Sequence, residues 1–176
     1  MDEAVADGAE LHAAAQGRLA DLYRRHAADA ARLAYVLTGD ASAAEDLMQE
    51  AFVRLARRLV HLRDPDAAGA YLRRTIVNLA NSRYRRRRLE RAHLESVGRD
   101  RPGTAGLPDV ATRLVLREAI LRLPMRQRTA VTLRYGEDRS EREIAELLGC
   151  RVGAAKALIH RAMESLRTDV GGIERP

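Results

Sequence analysis

The chain has no tryptophan, one phenylalanine and one cysteine, Cys150, and it holds no uninterrupted apolar run of membrane-spanning length. A single thiol can form neither an internal disulfide framework nor a thiolate cluster for a metal. The start, with Asp2, Glu3, Asp7 and Glu10, lacks the basic and then apolar run of a signal peptide, so no membrane insertion and a cytoplasmic location are the expectation. The five histidines, His12, His26, His61, His93 and His160, fall without ligand spacing, and no glycine-rich phosphate loop occurs. No catalytic residue, metal site or cofactor is therefore expected, and the chain reads as something other than an enzyme. Lysine is nearly missing too. Lys156 is the sole one, so positive charge is carried by arginine, as codon bias in a GC-rich genome alone would produce.

What is abundant is Ala, Leu, Arg and Glu, the composition of helical proteins with small side chains at helix contacts, and an all-α fold is the first expectation. A length of 176 residues allows one large domain or two small ones. Net charge is +6, and its distribution is uneven. Residues 1–70 carry 8 basic against 12 acidic side chains, residues 71–91 carry 8 arginines against a single glutamate, and residues 111–176 carry 13 basic against 9 acidic. Basicity gathered in one short segment points to nucleic acid as a partner. The acidic first 70 residues call for a different one.

Periodicity sets the organisation. Residues 1–16 are Ala-rich and acidic with no clear apolar stripe, and fit either a frayed helix or a tail. Leu22, Tyr23, His26, Ala30, Leu33, Ala34 and Leu37 recur at helical spacing up to a C-capping Gly39. Asp40 or Ser42 then caps a helix bearing Leu47, Ala51, Phe52 and Leu55, and Asp64-Pro65 opens a third that runs into Arg83 to Arg88. Gly98, Pro102, Gly103, Gly106 and Pro108 break the pattern and mark a linker. Helical spacing resumes with Leu114, Ile120 and Leu123, restarts at Pro124 with Val131, Leu133 and Tyr135, and breaks at Gly136. The domains expected are a tail at 1–18, a helical domain at 19–91, a linker at 92–110, a second helical domain at 111–168 and a tail at 169–176.

Three stretches carry chemistry. In the segment from Ser140 to Lys156, a capping box of Ser140 with Glu143 opens a short helix, Ala145 is small where two helices cross, and Gly149 makes the turn. Val152 and Ile159 are expected to anchor the second helix. That is a helix-turn-helix pattern, with Arg151, Ala154, Leu158 and Arg161 outward and Lys156 and Ala157 at the flanks, although a plain helical hairpin shares these features. The segment from Tyr71 to Arg91 mixes Asn78, Ser82, Arg83 and Tyr84 with Arg85, Arg86, Arg87 and Arg88, the types that bind base edges and phosphates. A solvated basic face is the rival reading for the arginine run. Asp46, Gln49 and Glu50 share one face of an acidic helix, which by chemistry alone reads as solvated.

At these stretches the sequence resembles the extracytoplasmic-function class of sigma factors in the sigma-70 family, over roughly Leu19 to Leu166. Ala44-Glu45-Asp46-Leu47-Met48-Gln49-Glu50-Ala51-Phe52 looks like region 2.2 and Tyr71-Leu72-Arg73-Arg74-Thr75-Ile76-Val77-Asn78 like region 2.4. Leu121-Arg122-Leu123-Pro124-Met125-Arg126-Gln127-Arg128 looks like the start of region 4, and Glu143-Ile144-Ala145 through His160-Arg161-Ala162 like its DNA-reading half. The resemblance implies a monomer that binds the β′ clamp helices and β flap of core RNA polymerase, with an anti-sigma factor left open as a further partner. It places Asp46, Gln49 and Glu50 on the polymerase clamp. It puts Asn78, Ser82 and Arg83, with the loop from His61 to Asp66, on the unwound −10 strand and Arg85, Arg86, Arg87 and Arg88 on adjacent phosphates. Arg151, Ala154, Lys156, Ala157 and Arg161 would face the −35 duplex. Tyr71 stands where the class often has tryptophan and Ser82 where it often has aspartate. Ala154, Ala155, Ala157 and Leu158 replace common threonine, valine, serine and arginine, which implies a more apolar readout. The alternative is a stand-alone helix-turn-helix regulator.

Overall fold

A computed structural model describes the backbone of residues 2–59, 67–94 and 108–171, and the side chains of residues 16–59, 67–90 and 114–169. Its regular elements are all helical: α1 (Asp2–Thr38), α2 (Ala41–Arg58), α3 (Ala67–Leu94), α4 (Pro108–Arg122), α5 (Met125–Val131), a π-helical turn at Thr132–Gly136, α6 (Glu141–Leu148) and α7 (Val152–Gly171). The expected all-α class is met. The chain divides into two compact units, one of Met1–Tyr35 with Asp40–Ile76 and the other of Val36–Gly39 with Val77–Pro176.

In the first unit the helical spacing of the sequence becomes a shared core. Leu22, Ala30, Leu33 and Ala34 of α1 are buried, as are Leu47, Ala51, Phe52 and Leu55 of α2 and Ala68, Leu72 and Ile76 of α3. Each fully buried leucine or isoleucine here contributes up to about 1.5–3 kcal/mol. Tyr23, expected on the inner face, is half exposed, and its ring meets that of Phe52 at 4.8 Å. The start of α2 is set locally: Asp40 has extended backbone and its carboxylate accepts a 2.7 Å hydrogen bond from the Ala43 N–H. Of the two caps that the sequence offered, Asp40 is the one used. The Asp64-Pro65 opening of α3 and the loop from His61 to Asp66 lie outside the described residues, as do residues 95–107 of the expected linker.

In the second unit α7 lies against α4, α5 and α6. Ala119, Leu123, Val131, Ala162 and Leu166 form the buried cluster, with Ile120 and Met163 packed on it. Arg128 is the unusual member of this interior, only 8% exposed. Its guanidinium donates to the carbonyl oxygens of Leu37 at 2.7 Å, Leu123 at 3.3 Å and Leu121. A cation that donates to three carbonyls takes the place of water for groups that would otherwise be left unpaired. Burial pulls its pKa down, while the field of Tyr84 opposes this. Gly39 has φ +74°, so its backbone favours glycine, and a Cβ there would lie 2.7 Å from the end of the Leu121 side chain, which would have to shift.

After α5 the chain departs from the regular helix that the sequence suggested. Thr132–Gly136 widens into a π turn, and Asp138 takes a left-handed φ of 50°. Val131 and Leu133 stay buried while Tyr135 turns out, 65% exposed. Beside it an apolar groove of about 570 Å³ is lined by Leu116, Ile120, Val131, Tyr135, Met163 and Leu166.

Candidate nucleic-acid interface

The helix-turn-helix is assembled from short-range hydrogen bonds. At the start of α6, Ser140 Oγ accepts from the Glu143 N–H at 3.3 Å, and the Glu143 carboxylate accepts from the Ser140 N–H at 2.9 Å. Both halves of the capping box are therefore made. The same carboxylate accepts from the Ser140 hydroxyl at 2.7 Å and from Arg139 at 3.0 Å. The Ser140 backbone bond, followed by the two side-chain donors, draws its pKa down from 4.5 to about 2.

At the other end of α6, Gly149 at φ 59° gives a left-handed cap. The Cys150 N–H reaches the Ala145 carbonyl at 2.9 Å and the Gly149 N–H the Glu146 carbonyl at 3.4 Å, the paired bonds of a Schellman turn. Arg126, from α5, donates to the Leu148 carbonyl at 3.2 Å and ties that end to the preceding helix. Ala145 is 3% exposed and Ala155 fully buried, which is what closely crossing helices need.

Among the described residues of α7, Ala155, Ile159, Ala162 and Leu166 are buried, at spacings of four, three and four. Val152, expected among them, is instead 46% exposed. The physical reason is its place at the first helical position, off the axis of that stripe and with no preceding turn to cover it. Of the outward residues, Arg151, Ala154, Lys156 and Arg161 are exposed, while Ala157 and Leu158 are partly covered. The guanidinium of Arg161 donates back to the Ala157 carbonyl at 3.2 Å. Gly153 and His160 share the outward side, and the His160 ring lies 3.4 Å from Glu164.

On α3, Asn78 and Ser82 are exposed, Arg83 is half-buried, and Arg85, Arg86, Arg87 and Arg88 are all exposed. At 100° per residue four consecutive arginines wrap around the helix, so they cannot all share one face. Asn78, Ser82 and Arg86 do share one, at spacings of four, with Arg85 three residues beyond Ser82 beside them. Tyr84, 39% exposed, stands within this stretch.

On α2, Asp46, Gln49 and Glu50 are exposed. Glu50 pairs with Arg54 at 2.8 Å, and Gln49 donates to Glu45 at 3.2 Å. Val53, 46% exposed, stands four residues after Gln49 and three after Glu50 and adds an apolar member that the acidic pattern did not flag. Its spacing from the acidic residues would have found it. Among the described residues no group of three or more His, Cys, Asp or Glu could hold a metal ion, and no helix is long and apolar enough to cross a membrane.

Family models match two parts of the chain: "Sigma-70 region 2" over residues 22–90 and "Sigma-70, region 4" over residues 113–166. The chain is 34% identical over 139 residues to the RNA polymerase sigma-E factor of Streptomyces coelicolor, covering 79% of this chain and 78% of that one. With the ECF RNA polymerase sigma factor SigW of Bacillus subtilis identity is 31% over 153 residues, covering 77% and 80%. Among solved structures, the sigma factor RpoE crystallised with the anti-sigma factor NepR from Bartonella quintana matches with a TM-score of 0.64. That match covers 94% of this chain and 99% of the other at 21% identity, a likeness of fold.

Proposed function

The chain belongs to the extracytoplasmic-function class of the sigma-70 family of RNA polymerase sigma factors, and from that membership we propose how its residues divide the work. It joins core polymerase, directs the enzyme to promoters and helps open the −10 region. Sigma factors are DNA-binding regulatory proteins, and this one acts by specificity, with no catalytic step of its own. Its place of action is the cytoplasm. Residues 19–91 form the polymerase-binding and −10 part and residues 111–168 the −35 part, supported by the two family matches in that order.

Asp46, Gln49 and Glu50 contact the β′ clamp helices, with Val53 extending that contact through apolar area. Asn78, Ser82 and Arg83 hold the extruded −10 strand, whose capture offsets an unstacking cost of a few kcal/mol. Arg85 to Arg88 meet phosphates on more than one side of α3. Arg151, Ala154, Lys156, Ala157 and Arg161 face the −35 duplex. The apolar groove beside Tyr135 takes the β flap, and an anti-sigma factor is a further partner of what is a monomer when free.

The observation that carries this reading is the exposure of all three faces in family order: acidic on α2, basic on α3, and a capped helix-turn-helix at α6 and α7. A stand-alone regulator would account for residues 113–166 and leave 22–90 without a role. Transcription with purified core polymerase over a genomic promoter library tests it. Promoter-specific transcripts are expected; their absence, with no co-purification with polymerase, would sink it. Asp46→Arg with Glu50→Arg should abolish polymerase binding without unfolding, because both side chains are exposed. Retained binding would refute the clamp contact.

A further inference from the structure

Arg151, just before α7, and Val152, Gly153, Ala154 and Lys156 of its first turns are exposed, with Ala157 half-covered. Between Arg151 and Ile159 there is no amide, hydroxyl or carboxylate side chain. Reading an adenine through its N6 and N7 takes an asparagine or glutamine, and accepting from cytosine N4 takes a carboxylate. Neither is present there. What remains is cationic donors, which match the guanine N7 and O6 acceptors, and apolar surface, which matches the C5 methyl of thymine. The N-terminal residues of a recognition helix are the ones that reach base edges. Here these are Arg151, whose carbonyl accepts the first α7 hydrogen bonds from Ala154 and Ala155, and Val152, nearly half exposed. A Cβ at Gly153 would meet nothing within 4 Å, so the helix backbone itself can approach the groove floor.

Resting on the −35 role proposed above, we infer that α7 reads duplex DNA through guanine acceptors and thymine methyl groups. Arg151 and Val152 are the side chains that set this specificity. Lys156 and Arg161 add phosphate attraction that does not depend on sequence.

Single-atom changes in the DNA test this with holoenzyme made from the full chain and core polymerase, on a promoter that it transcribes. Each −35 guanine is replaced in turn by 7-deazaguanine, and each thymine by deoxyuridine, which lacks only the methyl. At least one 7-deazaguanine should weaken binding by about fivefold or more, and at least one deoxyuridine by about threefold. Arg151→Ala should erase the first sensitivity and keep the second; Val152→Gly, which removes the whole apolar side chain, should do the reverse. Both positions are exposed, so the variants fold. Promoter complexes that form normally but ignore both replacements overturn the inference alone. Sensitivities that survive in both variants overturn the assignment to these residues. No promoter-specific complex on unmodified DNA overturns the −35 role and this inference with it.

Discussion

Glu143 shows how much of this molecule is decided by single side chains. Its folded pKa, near 2, lies below the ordinary 4.5, so the proton binds the unfolded chain more readily. The stability it contributes is therefore complete above about pH 4.5 and is lost as pH falls towards 2. Urea unfolding between pH 5 and 2.5 should show this decline, and the Glu143→Gln variant should lose that share of the pH dependence. Arg128 works in the opposite sense, as a charge kept inside for the sake of its donors. Arg128→Met leaves the carbonyls of Leu37, Leu121 and Leu123 without it and should cost about 2–3 kcal/mol in urea unfolding at neutral pH.

Among the elements, the glycines separate two kinds of corner. Gly39→Ala, with a positive φ and Leu121 in the way, should destabilise by more than about 1 kcal/mol. Gly153→Ala, in open space within α7, should be neutral or stabilising by up to about 1 kcal/mol. Paired thermal melts compare them. Such corners were legible in the sequence because their causes are local: Ser140 and Glu143 lie three residues apart, and Gly39 and Gly149 follow the last apolar residues of their helices. Of the two anchors expected in α7, Ile159 is buried, while Val152 is exposed by its place at the helix start. The π turn left no mark, since it is a slip in hydrogen bonding that ordinary residues make. Burial of Arg128 left none either, because a guanidinium reads as surface until carbonyls from 5, 7 and 91 residues away converge on it. At the candidate site the residue types were readable and their faces only in part: the four arginines of α3 read as one patch, yet they encircle the helix.

For the whole molecule, the prediction concerns spacing. If the −10 and −35 grips are both held by polymerase, adding five base pairs between the elements turns one by about half of the ~10.5-base-pair helical repeat. Run-off transcription should then fall to background and stay there when ten are added, because ten base pairs restore the helical phase but lengthen the duplex by about 34 Å. A lone DNA reader on the −35 side would be indifferent to both insertions. The near-absence of lysine gives a handle on the same question. The chain's only side-chain amine, Lys156, stands exposed on α7, and its only thiol, Cys150, stands six positions earlier in the turn. Acylating and alkylating reagents therefore each mark one side chain of the helix-turn-helix. If Lys156 faces the duplex as proposed, docking should slow its acylation, and peptide mass spectrometry of the acylated chain then follows that contact as initiation proceeds.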